Sequence, residues 1–147
     1  MSLHIDHVVL WVEDPLRALE FYTQVIGLTS VRAEEFRAGK APFPSVRLSE
    51  ASILDLMSVS SAEFLRKYTG EAKASAAGRP INHVCLAMDR DEFDALAARL
   101  AAAGVAMHTK SSPSFGARGS TVHWFYFQDP DGNTLEARYY EETQISS

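Results

Sequence analysis

Two histidines stand at the same place in two near-copies of one apolar run: His7 in "IDHVVL", residues 5 to 10, and His83 in "INHVCL", residues 81 to 86. The 76 positions between them also separate Ser45-Val46 from Thr121-Val122, as an internal repeat requires. Further along, "ILDL" aligns with "TLEA" and sets Asp55 against Glu136, 81 positions apart. The extra length is expected at the polar turn "DPDGN", residues 129 to 133, where the first half has only a few residues around Ser49 and Glu50. Imidazoles and carboxylates recurring this way suggest one shared site. A carboxylate in an apolar trough is costly, and a divalent cation removes that cost while giving the histidines a role. Such donors suit iron, manganese, cobalt, nickel or zinc, and two histidines with one carboxylate leave coordination positions open for substrate, water or oxygen. The expected ligands are His7, His83 and Glu136, with Asp55 as a fourth that, one methylene shorter than glutamate, reaches the ion directly, through water or not at all. A lone strand histidine is more often a hydrogen-bonded core residue; the paired placement carries the metal reading.

The elements that must position these residues repeat as well. "IDHVVLWV" is short and rich in β-branched and aromatic residues, which predicts a buried strand. A helix should follow, capped by Asp14 with Pro15 at its first position, carrying Leu16, Leu19, Tyr22, Val25 and Ile26 and stopping at Gly27. In the second half "INHVCLAM" is the strand, Asp89 or Asp91 the cap, Phe93, Leu96, Ala97 and Leu100 the apolar stripe, and Gly104 the stop. Each half then reads as strand, helix and about three strands. Residues 1–69 form the first module, ending in a short helix over "SSAEFLRKYT" with Ser60 and Glu63 as a capping box; residues 70–80 are a linker and 81–147 the second module.

Half-size modules cannot each bury a sheet face alone, so residues 1–147 are expected to form one α+β domain: two modules paired about a pseudo-twofold axis into a curved mixed sheet with a metal-binding cleft. A net charge of -5 over 147 residues argues against a nucleic-acid partner. The start "MSLHIDHVVLWVEDP" has neither the basic-then-apolar pattern of a secretion signal nor a membrane span, so a cytoplasmic protein without a membrane partner is expected. Cys85 is the one cysteine and, in an apolar run, reads as a small core residue.

The stretches "DHVVLWVEDPLRALEFYTQVIGL", "NHVCLAM" and "YFQDPDGNTLEA" resemble the vicinal oxygen chelate superfamily, which groups glyoxalase I, bleomycin and fosfomycin resistance proteins and extradiol dioxygenases. The resemblance runs over essentially the whole chain and implies βαβββ modules, with metal ligands from the first and last strands at His7, His83 and Glu136 and the fourth position at Asp55. It also implies a small-molecule substrate with vicinal oxygens and a homodimer. Glyoxalase-type relatives carry glutamate or glutamine where this chain has Asp55, fosfomycin-modifying relatives a threonine where it has Val9, and bleomycin-binding relatives lack the metal triad. A dioxygenase-like metalloenzyme using Fe2+ or Mn2+ is therefore expected, ahead of a glyoxalase-type lyase or isomerase on Zn2+, Ni2+ or Co2+ and of a metal-free binding protein.

Other residues carry lesser expectations. Asp55 and His123 are the candidate acid-base groups, although a surface or supporting role is the commoner fate of a strand histidine such as His123. Trp124, Arg118, Arg138 and Tyr140 are candidate substrate contacts: Arg118 in a glycine-flanked loop expected to be mobile, Arg138 and Tyr140 at alternate positions after Glu136. His4 and His108 lack partners between the halves and read as surface residues.

Overall fold

A computed structural model of the chain describes residues 5–61, 81 and 83–142. The expected linker, most of the helix begun at Ser60, and His4 lie outside the described residues. The fold is α+β, and the boundary between two compact units falls between Pro80 and Ile81. Among the described residues no helix is long and apolar enough to cross a membrane.

The first unit begins with strand β1 (His7–Val12) and helix α1 (Pro15–Glu20). Asp14 caps α1 as expected, its side chain accepting from Leu16 N–H and Arg17 N–H. The helix continues as a π-turn over Phe21–Val25, closed by Ile26 N–H donating to Phe21 O, before Gly27 at φ 88° ends it. The buried face is Ala18, Leu19, Tyr22 and Ile26, whereas Leu16, expected in the stripe, is 42% exposed because its side chain points away from the sheet side of the first turn. Strand β2 (Thr29–Val31), helix α2 (Ala33–Arg37) and strands β3 (Ser45–Ser49) and β4 (Ser52–Ser58) complete the unit. The sheet order is β1-β4-β3-β2, with β1 parallel to β4 and the other pairs antiparallel. Leu10, Val12, Val46, Leu54 and Leu56 bury one sheet face together with Leu19 and Tyr22. Alternation leaves His7, Val9 and Asp55 on the opposite face.

In the second unit strand β5 (Val84–Ala87) leads into helix α3 (Arg90–Ala102), capped by Asp89 accepting from Glu92 N–H. A hairpin of strands β6 (Ser114–Gly116) and β7 (Gly119–Thr121) precedes strands β8 (Trp124–Gln128) and β9 (Thr134–Arg138). The sheet order is β5-β9-β8, and β5 runs parallel to β9 as β1 does to β4. Between α3 and β6, exposed His108 makes an isolated antiparallel bridge with Tyr126. Phe93 of α3 meets Phe125 and Tyr139 at 4.9 and 5.0 Å between ring centroids, and Leu96, Leu100, Phe127, Leu135 and Ala137 fill the same apolar layer.

The repeat is visible in the registers. Val9 pairs with Asp55 as Cys85 pairs with Glu136, and Ser45 pairs with Asp55 as Tyr126 pairs with Glu136. Ser45 therefore corresponds to Tyr126, not to Thr121 as the sequence alignment had it. The length difference between the halves arises before β3 and β8, where the second unit carries the β6–β7 hairpin and the first has α2. The "DPDGN" turn is the longer of the two connections, but Ser45 to Asp55 and Tyr126 to Glu136 span the same number of residues, because β3 and β4 pair further toward their turn than β8 and β9 do.

Candidate functional site

In the second unit, the sheet face turned away from α3 carries two cross-strand rows: Cys85, Glu136 and Tyr126, then Ala87, Arg138 and Trp124. His83, two residues before Cys85, lies on this face with its Nε2 3.1 Å from Glu136 Oε2. The glutamate is 2% exposed and the histidine 30% exposed at the side chain, so the pair joins a buried carboxylate to a rim imidazole. The ring of Tyr126 stands edge-on to His83 at 5.2 Å. Burial first, and the Glu136 charge second, push the Tyr126 phenol above its ordinary pKa.

The second carboxylate oxygen of Glu136 has another partner. Arg138 Nη2 donates to Glu136 Oε1 at 2.5 Å, with both side chains buried. Arg138 Nη2 also donates to Ser114 Oγ at 2.8 Å, and Nη1 to Ser114 O and Tyr140 Oη at 3.3 Å each. Burial opposes its charge, yet the hydrogen bonds it donates to Glu136 and Tyr140 outweigh that and hold the guanidinium pKa above normal. Arg138, expected to meet an anionic substrate, is instead committed to Glu136 and the β6 strand.

In the first unit His7 is half-exposed, and its Nδ1 lies 2.8 Å from Asp6 Oδ2. That hydrogen bond, followed by the charge of Asp55, raises its pKa above 6.5. Asp55 is buried and accepts from Ser45 Oγ at 2.6 Å. Thus each unit places a histidine and a carboxylate, His7 with Asp55 and His83 with Glu136, on a common face, and of these two pairs His83 and Glu136 are the one in contact. Among the described residues no three histidine, cysteine, aspartate or glutamate side chains are clustered closely enough to enclose an ion.

His123 lies elsewhere. Its ring stacks on Tyr139 at 4.2 Å and 8° and its Nε2 is 2.5 Å from Glu141 Oε1. Tyr139, the residue after β9, packs against Phe93 of α3, so the expected acid-base group is turned away from the His83–Glu136 pair. Trp124 is buried on the site face, its Nε1 donating to Ser112 O at 3.0 Å. Arg118 occupies the turn of the β6–β7 hairpin rather than an open loop, with its N–H donating to Tyr140 Oη and its guanidinium 5.5 Å from the Tyr140 ring centre. Cys85, expected in the core, is exposed beside Glu136, because the parity of the β5–β9 register turns it to the site face. Tyr126 and Ser114 also belong to this constellation. Their only advance signal was alternation, Tyr126 in step with Trp124 and Ser114 with Gly116.

A family model described as the glyoxalase/bleomycin resistance protein/dioxygenase superfamily matches residues 4–137. Among solved structures, the chain is similar to integron cassette protein VCH_CASS1 from the mobile metagenome of V. cholerae, at 22% identity and a TM-score of 0.65, over 96% of this chain and 98% of that one. It is similar to a glyoxalase/dioxygenase from Nostoc punctiforme at 19% identity and a TM-score of 0.63, over 95% and 92% of the two chains. It is similar also to TnmS3, an antibiotic binding protein from Streptomyces sp. CB03234, at 19% identity and a TM-score of 0.59, over 95% and 98%. At these identities the likeness is one of fold. The sequence matches no protein of curated function.

Proposed function

The chain belongs to the glyoxalase/bleomycin resistance protein/dioxygenase superfamily, and from that premise we propose that it is a divalent-metal-dependent enzyme acting on a small substrate with vicinal oxygens, with dioxygenase-like oxidoreductase chemistry. The observation that carries this is the His83–Glu136 pair, an imidazole nitrogen and a carboxylate oxygen 3.1 Å apart on one sheet face. Two neighbouring ligands of one cation, each bonded at about 2.0–2.2 Å at right angles, stand roughly 3 Å apart, so the pair fits a shared ion. His7 is the proposed third donor, supported by its register: it precedes Val9, the partner of Asp55, by the same two residues that separate His83 from Cys85, the partner of Glu136.

A bound divalent cation supplies Lewis acidity toward vicinal oxygens and, as Fe2+ or Mn2+, redox capacity. The protein's own groups do the rest. Glu136 and His83 would hold the ion. Asp55, held by Ser45, contributes charge near His7 rather than a direct bond, and so raises the basicity of that imidazole. Tyr126 fixes the ring of His83 and offers an aromatic edge to a flat substrate.

Titration of chelator-treated protein with Mn2+ tests this reading. The wild type should take up one ion, and His7→Ala and His83→Ala should each weaken uptake at least tenfold; equal uptake in all three proteins refutes the ligand assignment. Oxygen consumption with a catechol and Fe2+, set against turnover of a glutathione hemithioacetal with Ni2+ or Zn2+, separates dioxygenase from glyoxalase chemistry. A metal-free binding protein is the alternative, favoured by the aromatic pair Trp124 and Tyr126 beside the site at 5.2 Å between centroids. It predicts capture of a planar aromatic compound with no response to added metal.

A further inference from the structure

We infer that Arg138 is a positioning residue that pins one oxygen of Glu136, so that the carboxylate can meet an ion through Oε2 alone; the inference rests on the metal reading above. Three observations support it. Arg138 Nη2 donates to Oε1 while Oε2 faces His83, so the two oxygens have different partners. The guanidinium is itself held at several points by the β6–β7 hairpin and its neighbour, through Ser114 O, Ser114 Oγ and Tyr140 Oη. Finally, the hairpin is built around it: a Cβ at Gly116 would overlap Arg138 Nη1 and Tyr140 Oη, so only glycine leaves the guanidinium its place.

The arrangement is specific enough to carry a cost. Arg138 Nε is buried and, among the described residues, has no hydrogen-bond partner. A purely structural arginine could satisfy that N–H by a small shift toward the surface, where water would accept it. Here the guanidinium stays where Nη2 reaches Glu136 and both Nη groups reach Ser114. The hydroxyl of Ser114 also lies 3.5 Å from Oε1, so the same oxygen is addressed from two sides.

The consequence concerns coordination number. A carboxylate with two free oxygens can close on a cation through both and occupy two positions. With Oε1 taken by Arg138, Glu136 occupies one, and an additional position stays available to a substrate oxygen or to water. Partners of ligating carboxylates orient them and commonly change affinity when removed.

The test is Mn2+ titration of chelator-treated protein followed by water-proton relaxation, which reads both affinity and the number of exchangeable waters on the ion. In Arg138→Met, Kd for Mn2+ should fall about tenfold or more, since the ion gains a second carboxylate oxygen and loses a neighbouring cation, and the relaxation enhancement per bound ion should fall as the released carboxylate closes on it. Arg138→Lys should recover part of both effects. Gly116→Ala, which displaces the guanidinium from the hairpin side and leaves the apolar layer untouched, should reproduce them in a protein whose circular dichroism matches the wild type. Unchanged affinity and relaxation in folded Gly116→Ala and Arg138→Met, with the wild type binding normally, would overturn the positioning role and leave the metal reading standing. A wild type that takes up no Mn2+ would overturn both.

Discussion

Replacing Glu136 with leucine should destabilise the metal-free protein far more than its one ion pair would at a surface. Arg138 and Glu136 are 3% and 2% exposed at their side chains and 2.5 Å apart, so neither charge is screened by solvent and no surface discount applies. Removing one member of such a pair strands the other, at a typical cost of about 3–5 kcal/mol. For a chain of this length each kcal/mol lowers the melting temperature by about 2–4 °C, so Glu136→Leu should melt roughly 6–20 °C below the wild type. Arg138→Met should lose a comparable amount for the converse reason. The double variant should recover most of it, because an apolar pair of similar volume leaves no buried charge without its counter-charge. Glu136→Gln keeps an acceptor for Arg138 and should fall in between. Urea and thermal unfolding in the presence of a chelator, which removes stabilisation by bound metal, supply the measurement. If the losses of the two single variants simply add in the double, the carboxylate and guanidinium are not coupled and the proposed clamp is wrong.

Two further outcomes follow from the geometry. His7 should titrate above pH 6.5 by NMR, since Asp6 and then Asp55 favour its protonated form. A raised folded-state pKa makes the histidine's contribution to stability fully present below pH 6.5 and lost as pH rises through the higher midpoint, and Asp6→Asn should bring that midpoint down; a midpoint at or below 6.5 in the wild type contradicts the observed contact. Asp129 accepts from Asp131 N–H, Asn133 N–H and Asn133 Nδ2, so Asp129→Ala should lower the urea midpoint by an amount equivalent to about 2 kcal/mol or more, with Asp129→Asn milder; an unchanged midpoint would mean that the turn does not depend on this cap.

Much of this architecture was legible because it rests on local chemistry. Asp14 before Pro15 and Gly27 bracket the first helical segment as their types demand, and the twin histidine runs become the first strands of both units. Glu136 could be assigned inward because a repeat partner, Asp55, broke the ambiguity of strand alternation. What could not be read depends on pairing parity and on chain distant in sequence. "STVHW" looks like the start of a strand equivalent to β3, yet β8 begins only at Trp124, which moves the correspondence to Ser45 with Tyr126 and turns His123 to the opposite side. Cys85 is apolar in company and exposed in fact, since β5 meets β9 in the register that faces it outward. Arg138 read as a substrate contact because its hairpin partners, Ser114 and Gly116, lie more than twenty residues earlier and carry no motif of their own.

Ser45 and Arg138 show what duplication has done with one inherited layout. Both halves keep a carboxylate opposite the same strand position, but a neutral hydroxyl attends Asp55 and a cation attends Glu136. Net charge around each acid can then change by a single codon in one half without disturbing backbone pairing in either.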